Sequence, residues 1–308
     1  VLGALPIDGD AMVPIPAGTV RMGSDRFYPE ERPRREVDLP AFRIDVHPVT
    51  NDRFAAFVAD TGWVTLAERP LDPDDYPGAD PDLLHPGGVV FRQPPAPVPL
   101  DDPSQWWAYV PGASWRSPLG PGSDLVGRGD HPVVQVAFAD AVAYAEWRGA
   151  RLPSEAEWER AARGGLDDAE YSWGDEPYPD DRQMANTWQG RFPWEQLELD
   201  GYAGTSPVGS FPANGYGLFD MAGNVWEWTT DWWTDQPSAP GDHERPCCGG
   251  SAAIGSAAPG ERYGRRVIKG GSHLCAPNYC HRFRPAARQP EAIDTSTCHV
   301  GFRCVVDA

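Results

Sequence analysis

Thirty-three glycines and 34 prolines are spread through 308 residues, and this punctuation constrains the chain more than any other feature. Proline lacks the N–H that a helix interior or a sheet ladder needs, and glycine loses more freedom on ordering than any other residue. Long helices and wide regular sheets are therefore not expected; short elements joined by long loops are. The chain also carries 13 Trp, 10 Tyr and 11 Phe, enough apolar mass to offset the ordering entropy of so much loop. Length allows a large core in one domain or two, and no linker forces two.

Local signals place the few elements. "MVPIPAGTVRMGS" reads as a short strand and turn, and "REVDLPAFRIDVHPVT" as a strand rich in β-branched and aromatic residues. A helix is expected after Thr50 as N-cap, with Phe54, Phe57 and Val58 at helical spacing and Gly62 just past its end. A second runs from about Asp140 to Arg148. The third has the clearest start: in "LPSEAEWERAARGG", Ser154 and Glu157 form a capping box, Trp158, Ala161 and Ala162 share a face, and Gly164 stops it. Residues 69–132 read as a long irregular insertion dense in Pro, Gly and Asp. Beyond 165, "RVIKGGS" and "VGFRCVV" are the clearest strands. Helices on a twisted, irregular sheet, an α+β class, follow from this pattern.

A formal net charge of −19, with Lys269 the only lysine, argues against DNA, RNA or an anionic membrane surface as partner. Metal cations or a basic peptide fit better. No apolar run approaches a membrane span, and the first residues lack a basic stretch followed by an apolar one, so a soluble, cytoplasmic protein is expected.

Two sets of residues carry candidate chemistry. The first is oxygen-rich: Asn186 and Asp200 in "ANTW" and "LDGY", and Asp220 and Glu227 in "FDMAGNVWEW". Calcium takes six to eight hard oxygen ligands from such turns. Spacing alone, however, favours plain Asx turns for Asn186, Asp200 and Asp220.

The second set is sulfur. Six cysteines are too few for a disulfide scaffold in so long a chain, and they fall as Cys247 with Cys248, Cys275 with Cys280, and Cys298 with Cys304. In "GGSHLCAPNYCHRFR" the C-x4-C pair lacks the two further ligands of a structural zinc site. Two thiolates suit Cu(I) or a redox disulfide, and His273, His281, Arg282 and Arg284 could lower a thiol pKa. Inert core thiols or a plain disulfide remain as good a reading on spacing alone. His85, His131 and His243 stand in loops without a partner at ligand spacing, the "RPLDPDDYPGADPD" run reads as a solvated loop, and Arg303 reads as a satisfied, partly buried arginine.

Taken together, "VPIPAGTVRMGS", "VHPVTNDRFAAFV", "GARLPSEAEWERAARGG", "YSWGDE", "ANTWQGRFP", "NGYGLFDMAGNVWEWTTDWW", "KGGSHLCAPNYCHRFRPAAR" and "GFRCV" resemble the formylglycine-generating enzymes of the sulfatase-modifying-factor family. They cover nearly the whole chain in order, and the cysteine pair is the part specific to the generating enzymes. The resemblance implies one domain over 1–308 of C-type-lectin-like topology with little regular secondary structure. It implies oxidation of the cysteine in a Cys-x-Pro-x-Arg motif of unfolded sulfatases to formylglycine, using dioxygen, an external thiol and Cu(I) on Cys275 and Cys280. By position, Ser272, Trp226 and Tyr279 line the oxygen pocket. Asn186 and Asp200 with the carbonyls of Thr187 and Tyr202 match one structural calcium site; Asp220 and Glu227 with the carbonyls of Gly223 and Val225 match another. A monomer is expected.

The chain departs from that pattern in places. Arg284-Pro285 stands where enzymes of higher organisms have a further cysteine, and His299 where relatives have Asn; Cys247, Cys248, Cys298 and Cys304 have no implied role. Two other readings compete with this one. An iron-type sulfoxide synthase would bring a helical domain and a three-histidine site, neither visible. A non-catalytic, calcium-stabilised lectin-like module would leave the cysteines incidental.

Overall fold

The computed structural model describes residues 11–75, 78, 80, 84–235 and 249–308; the expectations for Cys247, Cys248 and His243 lie outside them. Near the start, Met12–Ile15 (β1), Gly18–Met22 (β2), Arg35–Leu39 (β3) and Phe42–Asp45 (β4) precede the helix Asn51–Thr61 (α1). The stretch expected as one strand is two, because Pro40 interrupts it. Thr50 caps α1, its Oγ1 accepting from the Arg53 N–H, and Gly62 ends it in the left-handed region.

The insertion 69–132 is not wholly irregular. Gly87–Phe91 (β5) pairs antiparallel with Trp107–Pro111 (β6) in full register from Gly87 opposite Pro111 to Phe91 opposite Trp107. Prolines in and around these strands hid the pairing, since Pro can sit only where its missing N–H is not needed. Phe138–Trp147 (α2) starts two residues earlier than expected, and Glu155–Arg163 (α3) starts from the anticipated capping box, with Gly164 at φ 57°.

The rest is Trp226–Trp232 (β7), Gly249–Ser256 (α4), Arg265–Lys269 (β8), Arg288–Ala292 (β9), Val300–Gly301 (β10) and Val305–Asp307 (β11). A four-stranded sheet runs β10-β7-β8-β9, and in a three-stranded sheet β1-β4-β11 the first and last strands flank β4. The "VGFRCVV" segment is thus split between two sheets. It leaves one at Gly301 and enters the other at Val305.

Helix α3 departs from the expected one-sided helix. Besides Trp158, Ala161 and Ala162, its Glu155, Glu157, Glu159, Arg160 and Arg163 are all buried. The three glutamates and Arg163 each meet an opposite charge, and Arg160 donates instead to the Pro16 and Thr19 carbonyls. Lys269 Nζ, fully buried at the end of β8, lies 3.0 Å from Glu159 Oε2 and 3.7 Å from Glu155 Oε1, and Arg288 on β9 pairs with Glu155 at 2.8 Å. This network fastens α3 to the end of β8, where the chain leaves the sheet toward the cysteines. The next two residues, Gly270 and Gly271, have φ of 96° and 72°. A Cβ on Gly270 would lie 3.0 Å from the Trp158 ring, and one on Gly271 3.0 Å from Phe283 Cα. Only glycine lets the chain turn here while packed so closely.

Candidate active site

Immediately after that turn, one tight loop folds the cysteines together. Cys275 N–H donates to the Ser272 carbonyl and Cys280 N–H to the Ala276 carbonyl. The result sets Cys275 Sγ 3.1 Å from Cys280 Sγ, with both residues buried. A disulfide would need about 2.0 Å. Both are free thiols, as are Cys298 and Cys304 among the described residues.

The two sulfurs differ in electrostatics. Burial and its sulfur neighbour push the Cys275 thiol well up, against the Ser272 N–H that donates to its Sγ at 3.4 Å. Cys280 goes the other way: the hydrogen bond from Cys275 and the Arg282 guanidinium 4.0 Å from its Sγ outweigh burial and lower it. Of the two, Cys280 is the sulfur that ionises more readily. Of the four basic residues expected near the pair, only Arg282 acts on a sulfur. Arg282 is itself held by Glu30 at 2.7 Å and stacks over Tyr28. Arg284 pairs instead with buried Glu31, His281 Nε2 meets Tyr171 OH, and His273 Nδ1 donates to the Asn224 carbonyl.

The sulfurs open on a pocket of about 200 Å³. Ser272, Trp226 and Tyr279 all line it, as the resemblance implies, although they come from β7, the glycine turn and the cysteine loop. Trp226 and Ser272 are buried, whereas Tyr279 is 37% exposed and lies flat on Phe192, centroids 4.6 Å apart and planes 8° apart. Trp107, Leu274, Gln289 and His299 also border the pocket. Leu274 is the neighbour of Cys275, whereas no spacing signal marks Trp107, Gln289 or His299, because each arrives from a separate segment. Trp107 sits on β6, inside the stretch read as irregular. His299, buried, has its pKa lowered to about 3 by desolvation and by nearby His273; its Nδ1 lies 2.8 Å from Thr297 Oγ1. It is therefore a neutral wall of the pocket.

This donor set fits a soft ion: two buried sulfurs converge, a backbone N–H and a guanidinium support their negative charge, and among the described residues no carboxylate borders the pocket. Among the described residues no three His, Cys, Asp or Glu side chains cluster as a metal site, so a borderline metal wanting four such ligands has no cage.

The oxygen-rich turns also converge. Gln189 Nε2 donates both to the Thr187 carbonyl and, at 2.8 Å, to Asp200 Oδ2. An N–H pair thus stands between two oxygens of the first expected calcium set, the electropositive position a cation would take. Tyr202 N–H donates to Asp200 Oδ1, and Asn186 Nδ2 donates to the Gly204 carbonyl. These residues fit calcium.

In the second set, Asp220 is buried and its carboxyl is pushed up to about 6 by desolvation, with Glu227 adding in the same direction. Glu227 is already engaged: Trp158 Nε1 and Arg303 Nε donate to Oε2 at 2.7 Å each, and Arg303 NH2 to Oε1 at 2.8 Å. Arg303 is fully buried, so the expectation of a satisfied arginine holds and that of partial burial does not. Asp220 accepts from the Gly209 N–H on Oδ2 and from Asn224 Nδ2 on Oδ1, which leaves it further lone pairs to offer, whereas Glu227 has room for only one more partner. Gly223 and Val225 lie in the turn between them.

Of the three histidines read as unexceptional, His85 and His131 lie among the described residues. His131 Nδ1 meets Thr205 Oγ1, and the His85 carbonyl accepts from Tyr109 OH. Cys298 Sγ accepts from the Phe91 N–H, and Cys304 is packed in the main core.

Comparison with known proteins bears on all of this. Residues 4–308 match the family model of the sulfatase-modifying factor enzyme 1-like domain. The chain is 56% identical over 301 residues to the formylglycine-generating enzyme of Mycobacterium tuberculosis, covering 96% of this chain and 97% of that one. It is 46% identical to the enzyme of the same name from Thermomonospora curvata, over 96% and 93% of the two chains. A relative from Mus musculus named inactive C-alpha-formylglycine-generating enzyme 2 is 37% identical, over 97% and 86%. Among solved structures, PvdO from Pseudomonas aeruginosa superposes with a TM-score of 0.58 at 27% identity, covering 96% and 94%. The α+β, loop-rich, C-type-lectin-like class expected from sequence is the fold observed.

Proposed function

Since this chain belongs to the sulfatase-modifying factor enzyme 1-like family, we propose that it oxidises a sulfatase cysteine to formylglycine at Cys275 and Cys280, with Cu(I), dioxygen and an external thiol. Family membership by itself would not decide activity, because a relative is named inactive. The observation that carries the reading is the pair of buried free thiols, 3.1 Å apart, facing an open pocket.

Copper(I) bound by Cys275 and Cys280 would supply affinity for the substrate thiol and one-electron reactivity toward dioxygen. The protein's own groups do the rest. The Ser272 N–H and the Arg282 guanidinium hold negative charge on the two sulfurs. Trp226 walls the pocket against water, and the neutral imidazole of His299 adds no charge to it. Tyr279 on Phe192 gives the mouth a flat apolar shelf over which an extended peptide can lie. In balance, the substrate CH2–SH, one dioxygen and two hydrogens from thiols give the aldehyde, hydrogen sulfide and water, and the thiols leave as a disulfide.

The partner is an unfolded sulfatase segment bearing Cys-x-Pro-x-Arg, its arginine favoured by the chain's net charge of −19. The enzyme acts as a monomer in the cytoplasm. Calcium would be held by Asn186, Thr187, Asp200 and Tyr202, and a second ion by Asp220, Gly223, Val225 and Glu227, each pinning loops that lack a helix or sheet.

The test is to load the protein with Cu(I), supply a Cys-x-Pro-x-Arg peptide, air and a thiol, and follow the peptide by mass spectrometry. Conversion of cysteine to aldehyde is expected, and its loss in both Cys275→Ser and Cys280→Ser. Copper-loaded protein that leaves the peptide unchanged would refute the proposal.

A further inference from the structure

Behind the cysteine pocket lies a second, mainly apolar cavity of about 210 Å³ that opens to the surface. The two cavities sit on opposite faces of the same two chain segments. Along one segment His273 lines the second cavity, Cys275 the first, and Leu274 borders both. Along the other, Cys298 lines the second and His299 the first. Among the described residues, Leu274 is the one side chain that lines both cavities.

We infer that this cavity is a conduit through which dioxygen reaches the cysteine pair from the side opposite the peptide. The inference rests on the function proposed above. A polypeptide lying across the mouth at Tyr279 covers the direct way in, so the gaseous co-substrate needs another. An apolar diatomic requires neither charge nor hydrogen bonds, and walls of Phe91, Leu125, Val134 and Leu274 suit it. Apolar cavities on the order of 150 Å³ admit xenon and benzene, so this one is large enough. The amide Oδ1 of Asn51, buried in the wall without a hydrogen-bond partner in the protein, can seat one water, and Arg128, Thr205 and His273 are the other polar residues of a wall that is otherwise apolar. Leu274 moves between staggered rotamers, and a passing excursion opens the partition without backbone movement.

Two measurements test the conduit. Crystals pressurised with xenon should show the gas in the cavity beside Leu274, and a cavity free of xenon overturns the inference. In copper-loaded enzyme, Leu125→Phe and Leu119→Trp narrow the cavity from positions that do not border the cysteine pocket. Each should raise KM for dioxygen at least about threefold while KM for the peptide stays unchanged. Active variants whose dioxygen dependence matches the parent overturn the conduit alone. A parent protein that turns over no peptide at any dioxygen pressure overturns the functional reading beneath it, whatever the xenon result.

Discussion

Replacing Glu159 by Gln tests the buried charge network that anchors the cysteine loop. Its carboxylate, 1% exposed, accepts four hydrogen bonds: the Gly23 N–H at 2.8 Å and Arg163 NH2 and Nε at 2.6 and 3.2 Å on Oε1, and Lys269 Nζ at 3.0 Å on Oε2. Burial alone would raise its pKa, but Lys269 and Arg163 overcome that and hold it down to about 2. The displacement from 4.5 corresponds to roughly 3 kcal/mol. Removing one partner of a buried ion pair costs about 3–5 kcal/mol, so the two figures agree. At about 2.1 cal/mol/K per residue, a chain of 308 residues loses roughly 1.5 °C in Tm per kcal/mol, and Glu159→Gln should fall by about 5–8 °C.

Lys269→Met is the control, because it leaves each carboxylate a cation, Arg163 for Glu159 and Arg288 for Glu155. Its cost should be about 1.5–3 kcal/mol, the loss of one charged hydrogen bond, or about 2–5 °C. The acid limb adds a sign. A depressed carboxylate pKa contributes stability that is full above the unfolded value and lost as pH falls through the folded one, so the parent should lose this term between about 4.5 and 2 and Glu159→Gln should not. Calorimetry at neutral pH and across that window reads both effects. A Lys269→Met protein as unstable as Glu159→Gln would show that charge balance is not what holds this region.

Two further outcomes are expected. Calcium at about 100 times its Kd should stabilise the protein by about 2.7 kcal/mol per site, near 4 °C, without altering copper affinity; Asp200→Ala should lose one such increment, and identical melting with and without chelator would refute calcium binding. Arg282→Met removes the guanidinium beside Cys280 Sγ, so the pH midpoint for alkylation of Cys280 should move up; an unchanged midpoint would mean that the cysteine pair alone sets it.

What could be read from the sequence was local. Thr50 with Gly62 and Ser154 with Glu157 and Gly164 delimit two helices because caps and left-handed stops act within one turn. The cysteine pair was legible as a motif, but not its state, since nothing in C-x4-C distinguishes a disulfide from two thiols. Hairpin β5–β6 was lost among prolines, and with it Trp107 in the pocket wall.

The sequence by itself determined that the chain would be short elements and long loops, where α1 and α3 begin and end, and which two sulfurs could act together. Only the tertiary structure decided which charges are buried and what surrounds those sulfurs. Glu31, Glu155, Glu159 and Glu227 look like surface residues by type, and they are interior because Arg284, Arg288, Lys269 and Arg303 reach them from far along the chain. The pocket likewise joins β6, β7, the glycine turn and the segment before β10. The physical reason is the same in both cases. Capping and periodicity are fixed by neighbours a few residues away, whereas a buried charge or a site wall depends on a partner that only folding brings near.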